Sequence, residues 1–185
     1  MKNKKVLIVG GSSGLGYHLT NLYLKKKYNV TSISRNINTK LKKKVRQINC
    51  DVTDMSQLKK VLQDFKKKKI SFEILIHNVG GSKRVNNYND STENYRMVWE
   101  NNFAYIVEIN NFFIPFMKKK KWGRIVHVSS SASYNYFGSV AYSSAKAALN
   151  TYVSSIARRI IKYNIVSSCV CPGPIELPNR YMTIS

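Results

Sequence analysis

Acidic residues are scarce in this sequence: nine Asp and Glu stand against 31 Lys and Arg, a formal net charge of +22. Such an excess ordinarily points to a polyanionic partner, either nucleic acid or an anionic membrane surface. The arrangement argues otherwise. The lysines come in runs, Lys25 to Lys27, Lys42 to Lys44, Lys66 to Lys69 and Lys118 to Lys121, with no aromatic-interleaved basic motif. Two of the runs, 66–69 and 118–121, fall at expected helix C-termini, where cations oppose the macrodipole. They read as solvated faces, so no specific nucleic-acid partner is expected.

Cysteine is scarce too. Cys50, Cys169 and Cys171 have neither an even count nor C-x-x-C spacing, which excludes a disulfide framework and gives no zinc pattern. Long hydrophobic runs are missing, so no membrane span is expected. The opening MKNKKVLIVGG has four apolar residues before two glycines, too few for a signal-peptide core. A cytoplasmic location is the expectation. With 185 residues, 43% of them hydrophobic, the chain can bury a real core. No repeat or linker interrupts it, and residues 1–185 are expected to form one domain.

What is present is an alternation of strands and helices. KVLIV (5–9) is a strand that ends in glycines, and Leu15, Leu19, Leu22 and Tyr23 follow at helical spacing. NVTSIS (29–34) and VRQINCDV (45–52) read as strands two and three, and residues 56–69 carry a helical stripe of Leu58, Val61, Leu62 and Phe65. FEILIHNVGG (72–81), GRIVHVSS (123–130) and NIVSSCVCPGP (164–174) supply three more strands, separated by a long helical region and by a helix beginning near Tyr142. Mostly apolar strands alternating with helices predict an α/β fold, a Rossmann-like doubly wound parallel sheet of about six strands with helices on both faces.

GGSSGLG (10–16) sits where the first strand gives way to the first helix, the position at which such a fold binds a dinucleotide. Glycines permit tight dihedrals and close backbone approach, and the open helix N–H groups attract a pyrophosphate. The spacing, Gly10-x-x-x-Gly14-x-Gly16, differs from G-x-G-x-x-G. Arg35 closes the second strand where an acidic residue would hold an NAD ribose, and an arginine there fits a 2′-phosphate. NADP(H) is therefore expected in preference to NAD(H).

Tyr142 and Lys146, in AYSSAK, are four apart on a helix and share a face. A neighbouring ammonium favours phenolate, so Lys146 would lower the phenol's titration range and Tyr142 would give the proton. Ser130, 12 residues before Tyr142 at the end of a strand, could hold a carbonyl oxygen.

Together these motifs resemble the short-chain dehydrogenase/reductase family over essentially the whole chain. VGGSSGLG is similar to the family's TGxxxGxG, CDVTD to its adenine-contacting segment, and HNVGG to its NNAG. VSSS…AYSSAK resembles the Ser…YxxxK signature and VCPGPIE the PG motif after the sixth strand. The resemblance implies hydride transfer between a nicotinamide and a carbonyl or alcohol carbon of a small-molecule substrate. Tyr142 would exchange the proton, Ser130 would orient the carbonyl, and Lys146 would hold the nicotinamide ribose. Asn102 would anchor a proton-relay water. It further implies that Gly10, Ser12, Ser13, Gly14, Leu15 and Gly16 line the pyrophosphate, that Arg35 meets the 2′-phosphate, and that Asp51 and Val52 meet the adenine. Asn78 and Gly80 would border the cofactor, with Pro172, Gly173 and Ile175 beside the nicotinamide. Self-association through the helices carrying Asn102 and Tyr142 is expected, giving a homo-oligomer.

Several positions depart from the family pattern. Val9 replaces a threonine that braces the glycine turn, His77 replaces the first asparagine of NNAG, and Leu177 stands where a threonine would bond the carboxamide. His77, His18 and His127 read as structural groups, since no metal-ligand cluster surrounds them. Counting forward from the strand selects Ser130 as the catalytic serine, while counting back from Tyr142 selects Ser129. After PNRYMTIS no substrate-covering helix or seventh strand follows, so the sixth strand is expected to be an open edge. The alternative function is accordingly a shortened, inactive fold that binds a nucleotide or a partner.

Overall fold

The computed structural model describes residues 4–41, 44–135, 137–177 and 180–182. Six parallel strands form its centre: β1 (Lys5–Val9), β2 (Asn29–Ser34), β3 (Arg46–Asn49), β4 (Ile74–His77), β5 (Gly123–Val128) and β6 (Ile165–Val170). Their spatial order is β3-β2-β1-β4-β5-β6. The order reverses at β1, and α1 (Gly14–Lys25) leads to β2 while α2 (Met55–Lys67) crosses to β4. That switch point opens a crevice beyond the carboxyl ends of β1 and β4.

The helices begin where capping chemistry allows. Asp54 accepts from the backbone N–H groups of Ser56 and Gln57 at the start of α2, and Ser139 accepts from that of Tyr142 at the start of α6 (Val140–Ile160). The long helical region resolves into α3 (Thr92–Trp99), a π-helical turn over Glu100–Ala104, and α4 (Tyr105–Lys120). A short α5 (Ala132–Asn135) precedes α6. β1 and β2 match their apolar runs, whereas β3, β4, β5 and β6 are shorter than theirs because those runs continue into the adjoining turns.

Two cores flank the sheet. On one side Leu7, Val9, Ile33 and Leu75 pack against Leu58, Leu62 and Phe65 of α2, Ile106, Ile109 and Phe113 of α4, and Leu149 and Val153 of α6. On the other, Val6, Ile8, Val30, Ile74 and Ile76 pack against Tyr17, Leu19 and Tyr23 of α1. β1 beyond Lys5, and all of β4, are buried on both faces, whereas β6 alternates between buried or half-buried and exposed, leaving Val166 and Val170 open to solvent. The two-sided cover expected from the sequence therefore holds at the sheet's centre. Among the described residues, β6 is an edge strand.

One element was not foreseen. β7 (Ile175–Leu177) and β8 (Arg180–Met182) form a small antiparallel ribbon after the proline segment. The side chain of Leu177, and residues 178–179 and 183–185 of PNRYMTIS, lie outside the described residues.

Candidate functional site

The turn after β1 is shaped by approach distances. Gly10 has φ of +86° and Gly14 of +51°, a region that disfavours side chains. A Cβ on Gly16 would lie 1.9 Å from the Gly10 carbonyl oxygen, so the helix can begin this close to the strand only without one. Asn78 braces the same point, donating from its backbone to Val9 and from its amide to the Gly10 carbonyl (3.0 and 3.3 Å). Ser13 precedes α1, and its side chain makes no capping bond. The first-turn N–H groups thus face the crevice with no capping side chain from Ser13, an arrangement that suits an anionic diphosphate.

From this turn a cavity of about 330 Å³ runs outward past Ser12, Ser13, Gly14 and Leu15 to Ser34, Arg35, Asp51 and Val52. Arg35 is exposed, and its carbonyl accepts from the Asn49 amide at 2.5 Å. The Asp51 carboxylate accepts from the N–H and hydroxyl of Thr53 (3.0 and 2.8 Å). Burial, the largest single influence on Asp51, raises its pKa, but those bonds with Arg35 and Lys83 bring it below the ordinary value. A cation that can take a phosphate and a carboxylate that can take a hydroxyl or amine therefore sit side by side.

A second cavity, about 180 Å³, joins the first through Leu15, Asn78, Gly80 and Gly81 and is lined further on by Ser130, Tyr142, Lys146, Pro172, Gly173 and Ile175. The Ser139 cap starts α6 just before Tyr142, so Tyr142 and Lys146 occupy its first turns on one face. Ser130 acts on the Tyr142 phenol as a hydrogen-bonding neighbour, and its Oγ accepts from the Ala132 N–H at 3.2 Å. Ser129 turns the other way, its hydroxyl on the Lys146 carbonyl at 3.4 Å. Lys146 is buried, donating from Nζ to the Val128 carbonyl at 2.9 Å, with Nζ 5.7 Å from the centre of the Tyr142 ring.

The electrostatics differ from the sequence expectation in one respect. The net direction for the phenol is upward: burial raises Tyr142 above its ordinary value, and the Ser130 bond opposes it. The same burial pushes the Lys146 amine down to about 8, with Cys169 and Cys171 pulling it back up. At neutral pH the phenol holds its proton and the lysine is largely charged.

Gly80 lets these groups converge. A Cβ there would lie 2.7 Å from Asn102 Oδ1 and 2.9 Å from Lys146 Nζ. Asn102 is fully buried in the π-helical turn, accepting from the Gly81 N–H (3.0 Å) and donating to the carbonyls of Gly81 and Val98 (2.8 Å each). Its side chain thus clamps the Gly80–Gly81 loop and does not line the cleft. A water relay at this residue would have to use its backbone carbonyl.

Beneath the cleft, His77 and His127 stack in register on β4 and β5 with ring centres 5.0 Å apart. His127 Nδ1 lies 3.1 Å from the Ser168 carbonyl and so carries the proton, leaving Nε2 to accept from the Asn110 amide at 3.1 Å. Asn110 Oδ1 in turn accepts from His77 Nε2 at 3.0 Å. Both rings are held neutral: burial, with His127 adding to it, takes His77 well below its ordinary value, and burial takes His127 down to about 4. The structural reading of these histidines agrees with this geometry. His18 is exposed on α1, and no metal-ligand cluster occurs among the described residues.

All the expected site residues except Gly16 and Asn102 line the two joined cavities, and those two shape them from behind. Reading the sequence missed Asn36, Lys83 and Asn101, which line the outer cavity, and Asn38, whose amide holds the Ser12 carbonyl at 2.7 Å. Nothing in their local sequence signals these roles. Gly81, with φ of +139°, was legible as the second glycine of HNVGG.

Comparison with known proteins gives a consistent picture. The family model described as short chain dehydrogenase matches residues 4–183. The 3-oxoacyl-[acyl-carrier-protein] reductase FabG of Thermotoga maritima is 28% identical over 96% of this chain and 76% of its own length. The ketoacyl reductase HetN of a Nostoc species is 27% identical over 95% of this chain and 65% of its own. The chain thus spans about two thirds to three quarters of these relatives. Among solved structures, ElxO with NADP bound has a TM-score of 0.83 at 26% identity, covering 95% of this chain and 75% of that one. A Leptospira borgpetersenii short chain dehydrogenase with bound NAD+ has a TM-score of 0.85 at 22% identity, covering 96% and 74%. No described helix is long and apolar enough to cross a membrane.

Proposed function

This chain belongs to the short chain dehydrogenase family, and we propose that it is an NADP(H)-dependent carbonyl reductase with Tyr142 as its proton donor. The observation that carries the reading is the pair of joined cavities, with the glycine turn and Arg35 at one end and Ser130, Tyr142 and Lys146 at the other. The bound nicotinamide would supply or accept the hydride. The first-turn N–H groups of α1 would hold its diphosphate, and Arg35 would meet a 2′-phosphate.

At the inner end, the Ser130 hydroxyl holds the substrate carbonyl oxygen beside the phenol. Tyr142 Oη passes its proton to that oxygen as negative charge develops there. The charge on Lys146 stabilises the phenolate as it forms, offsetting part of what burial costs that charge. The phenol holds its proton at neutral pH, the form that a carbonyl reduction uses. Relatives named as ketoacyl reductases support a ketone as the substrate class.

The test is steady-state reduction of a panel of ketones with NADPH and NADH. Tyr142→Phe should lower kcat/KM by about 10³-fold while NADPH binding by fluorescence is unchanged. Arg35→Glu should weaken NADPH by about tenfold or more and leave NADH alone. Equal rates for Tyr142→Phe and wild type would overturn the proton-donor assignment, and equal use of both cofactors by wild type would overturn the preference.

A further inference from the structure

In a doubly wound sheet every helix-to-strand turn returns the chain to the amino ends of the strands, opposite the cleft. Four such turns occur among the described residues, before β2, β4, β5 and β6. They carry Lys25–Lys27, Lys66–Lys69, Lys118–Lys121, and Arg158, Arg159 and Lys162, all exposed. Fourteen of the chain's 31 cations therefore lie on the last helical turns and the connections of these four crossings, where Glu73 is the one acidic residue. The two carboxylates nearest these turns are already paired. Asp64 is held by Lys68 at 2.8 Å and Arg46 at 3.8 Å, and Glu73 by Lys120 at 2.6 Å.

Helix dipoles do not account for this density. Each C-terminus carries roughly half an elementary negative charge, which a single cation satisfies, yet each turn bears three or four. Aromatic rings stand among them. Lys4 Nζ and the Arg124 guanidinium lie 3.9 and 4.5 Å from the centre of Trp122, and Lys118 and Lys162 lie 4.9 and 5.4 Å from that of Tyr163. Two of these pairs, Lys4 with Trp122 and Lys118 with Tyr163, join residues far apart in sequence, so cations and rings are interleaved in space.

We propose that the amino end of the sheet is a binding face for the phosphate backbone of a polynucleotide, independent of base sequence. The turns before β2 and β6 are four strand spacings of about 4.8 Å apart, roughly 19 Å, room for about five phosphates at ~3.4 Å each along one strand of a duplex. The surface suits nucleic acid better than a bilayer, because the helix-to-strand turns expose only Ile161 among their large apolar side chains and offer little to insert. The face lies opposite the cofactor cleft, so the two sites are independent.

Fluorescence anisotropy with a labelled 20-nucleotide single strand and a 20-base-pair duplex, between about 50 and 200 mM salt, tests this. One variant neutralises one exposed lysine on each of three turns (Lys26→Gln, Lys67→Gln, Lys119→Gln), and a control of equal net charge changes Lys59→Gln, Lys60→Gln and Arg96→Gln elsewhere. Thermal melting verifies that both fold. The turn variant should lose about tenfold in affinity and flatten the log–log salt slope by about three. The control should bind nearly as wild type, and saturating NADPH should not compete. Equal weakening in both variants would show that net charge alone attracts the polymer, and competition by NADPH would place it in the cleft. Capture by phosphatidylserine vesicles with no polynucleotide binding at 100 mM salt would assign the face to membranes. Any of these overturns the proposal.

Discussion

The two ends of the sheet are built from one lysine-rich composition, yet they are chemically opposite. At the carboxyl end the turns carry glycine, serine and asparagine, and their few charges are individually placed, Arg35 beside Asp51 and Lys146 beneath Tyr142. At the amino end the turns carry cations in runs and the side chains are exposed. The difference shows where a lysine is tolerated. In the cleft, a charge either meets a partner or is pushed toward neutrality by burial, as Lys146 is, down to about 8. On the far side water screens it and neighbouring cations cost little.

The largest effect that would sharpen this contrast comes from one added methyl group. Gly16→Ala places a Cβ against the Gly10 carbonyl, a backbone clash with no side chain to move aside. It should destabilise the fold by about 3 kcal/mol and abolish binding of either nicotinamide cofactor in a fluorescence titration. A stable, cofactor-binding Gly16→Ala protein would break the claim that the cleft is set by backbone approach.

Acid sensitivity comes next. The folded-state pKa of His127 is depressed to about 4 and that of His77 well below ordinary. Below the unfolded value, near 6.5, the unfolded chain therefore binds protons that the folded chain refuses. Stability is complete above that pH and is lost as pH falls from about 6.5 to about 4, at ~1.4 kcal/mol per unit for each histidine. Urea melts across this range should show that slope, and His127→Asn should reduce it by about the share of one histidine. A flat profile would mean the pair is not held neutral.

The smallest effect belongs to the amino end. Lys67→Gln with Lys119→Gln should shift Tm by less than about 2 °C at physiological salt, because both side chains are exposed and absent from the ion pairs of Asp64 and Glu73. A shift of many degrees would give these runs a structural task and break the comparison from the other side.

Much of the fold was legible because its signals are local. Apolar runs, glycine turns and helical stripes report on neighbours within a few residues, and they located all six parallel strands. Less was legible at the site. Lys146 follows Tyr142 at the helical spacing, but whether it lowers the phenol depends on burial, which no spacing reveals. The hold of the Asn102 side chain on Gly81 likewise joins residues far apart in the chain. The β7–β8 ribbon lacked a turn signal strong enough to separate it from the proline segment.

By itself the sequence determined the order of elements, the glycine turn at Gly10–Gly16 and the Tyr142–Lys146 pairing, since each depends on covalent spacing and local periodicity. Only the tertiary structure decided which serine faces the phenol, which way burial moves Tyr142 and Lys146, and how His77, Asn110 and His127 share their protons. It also decided that four cation-rich turns, more than 30 residues apart in the chain, meet on one face. Desolvation, hydrogen-bond direction and the summed field of many charges all depend on distances through space, and those exist only once the chain has folded.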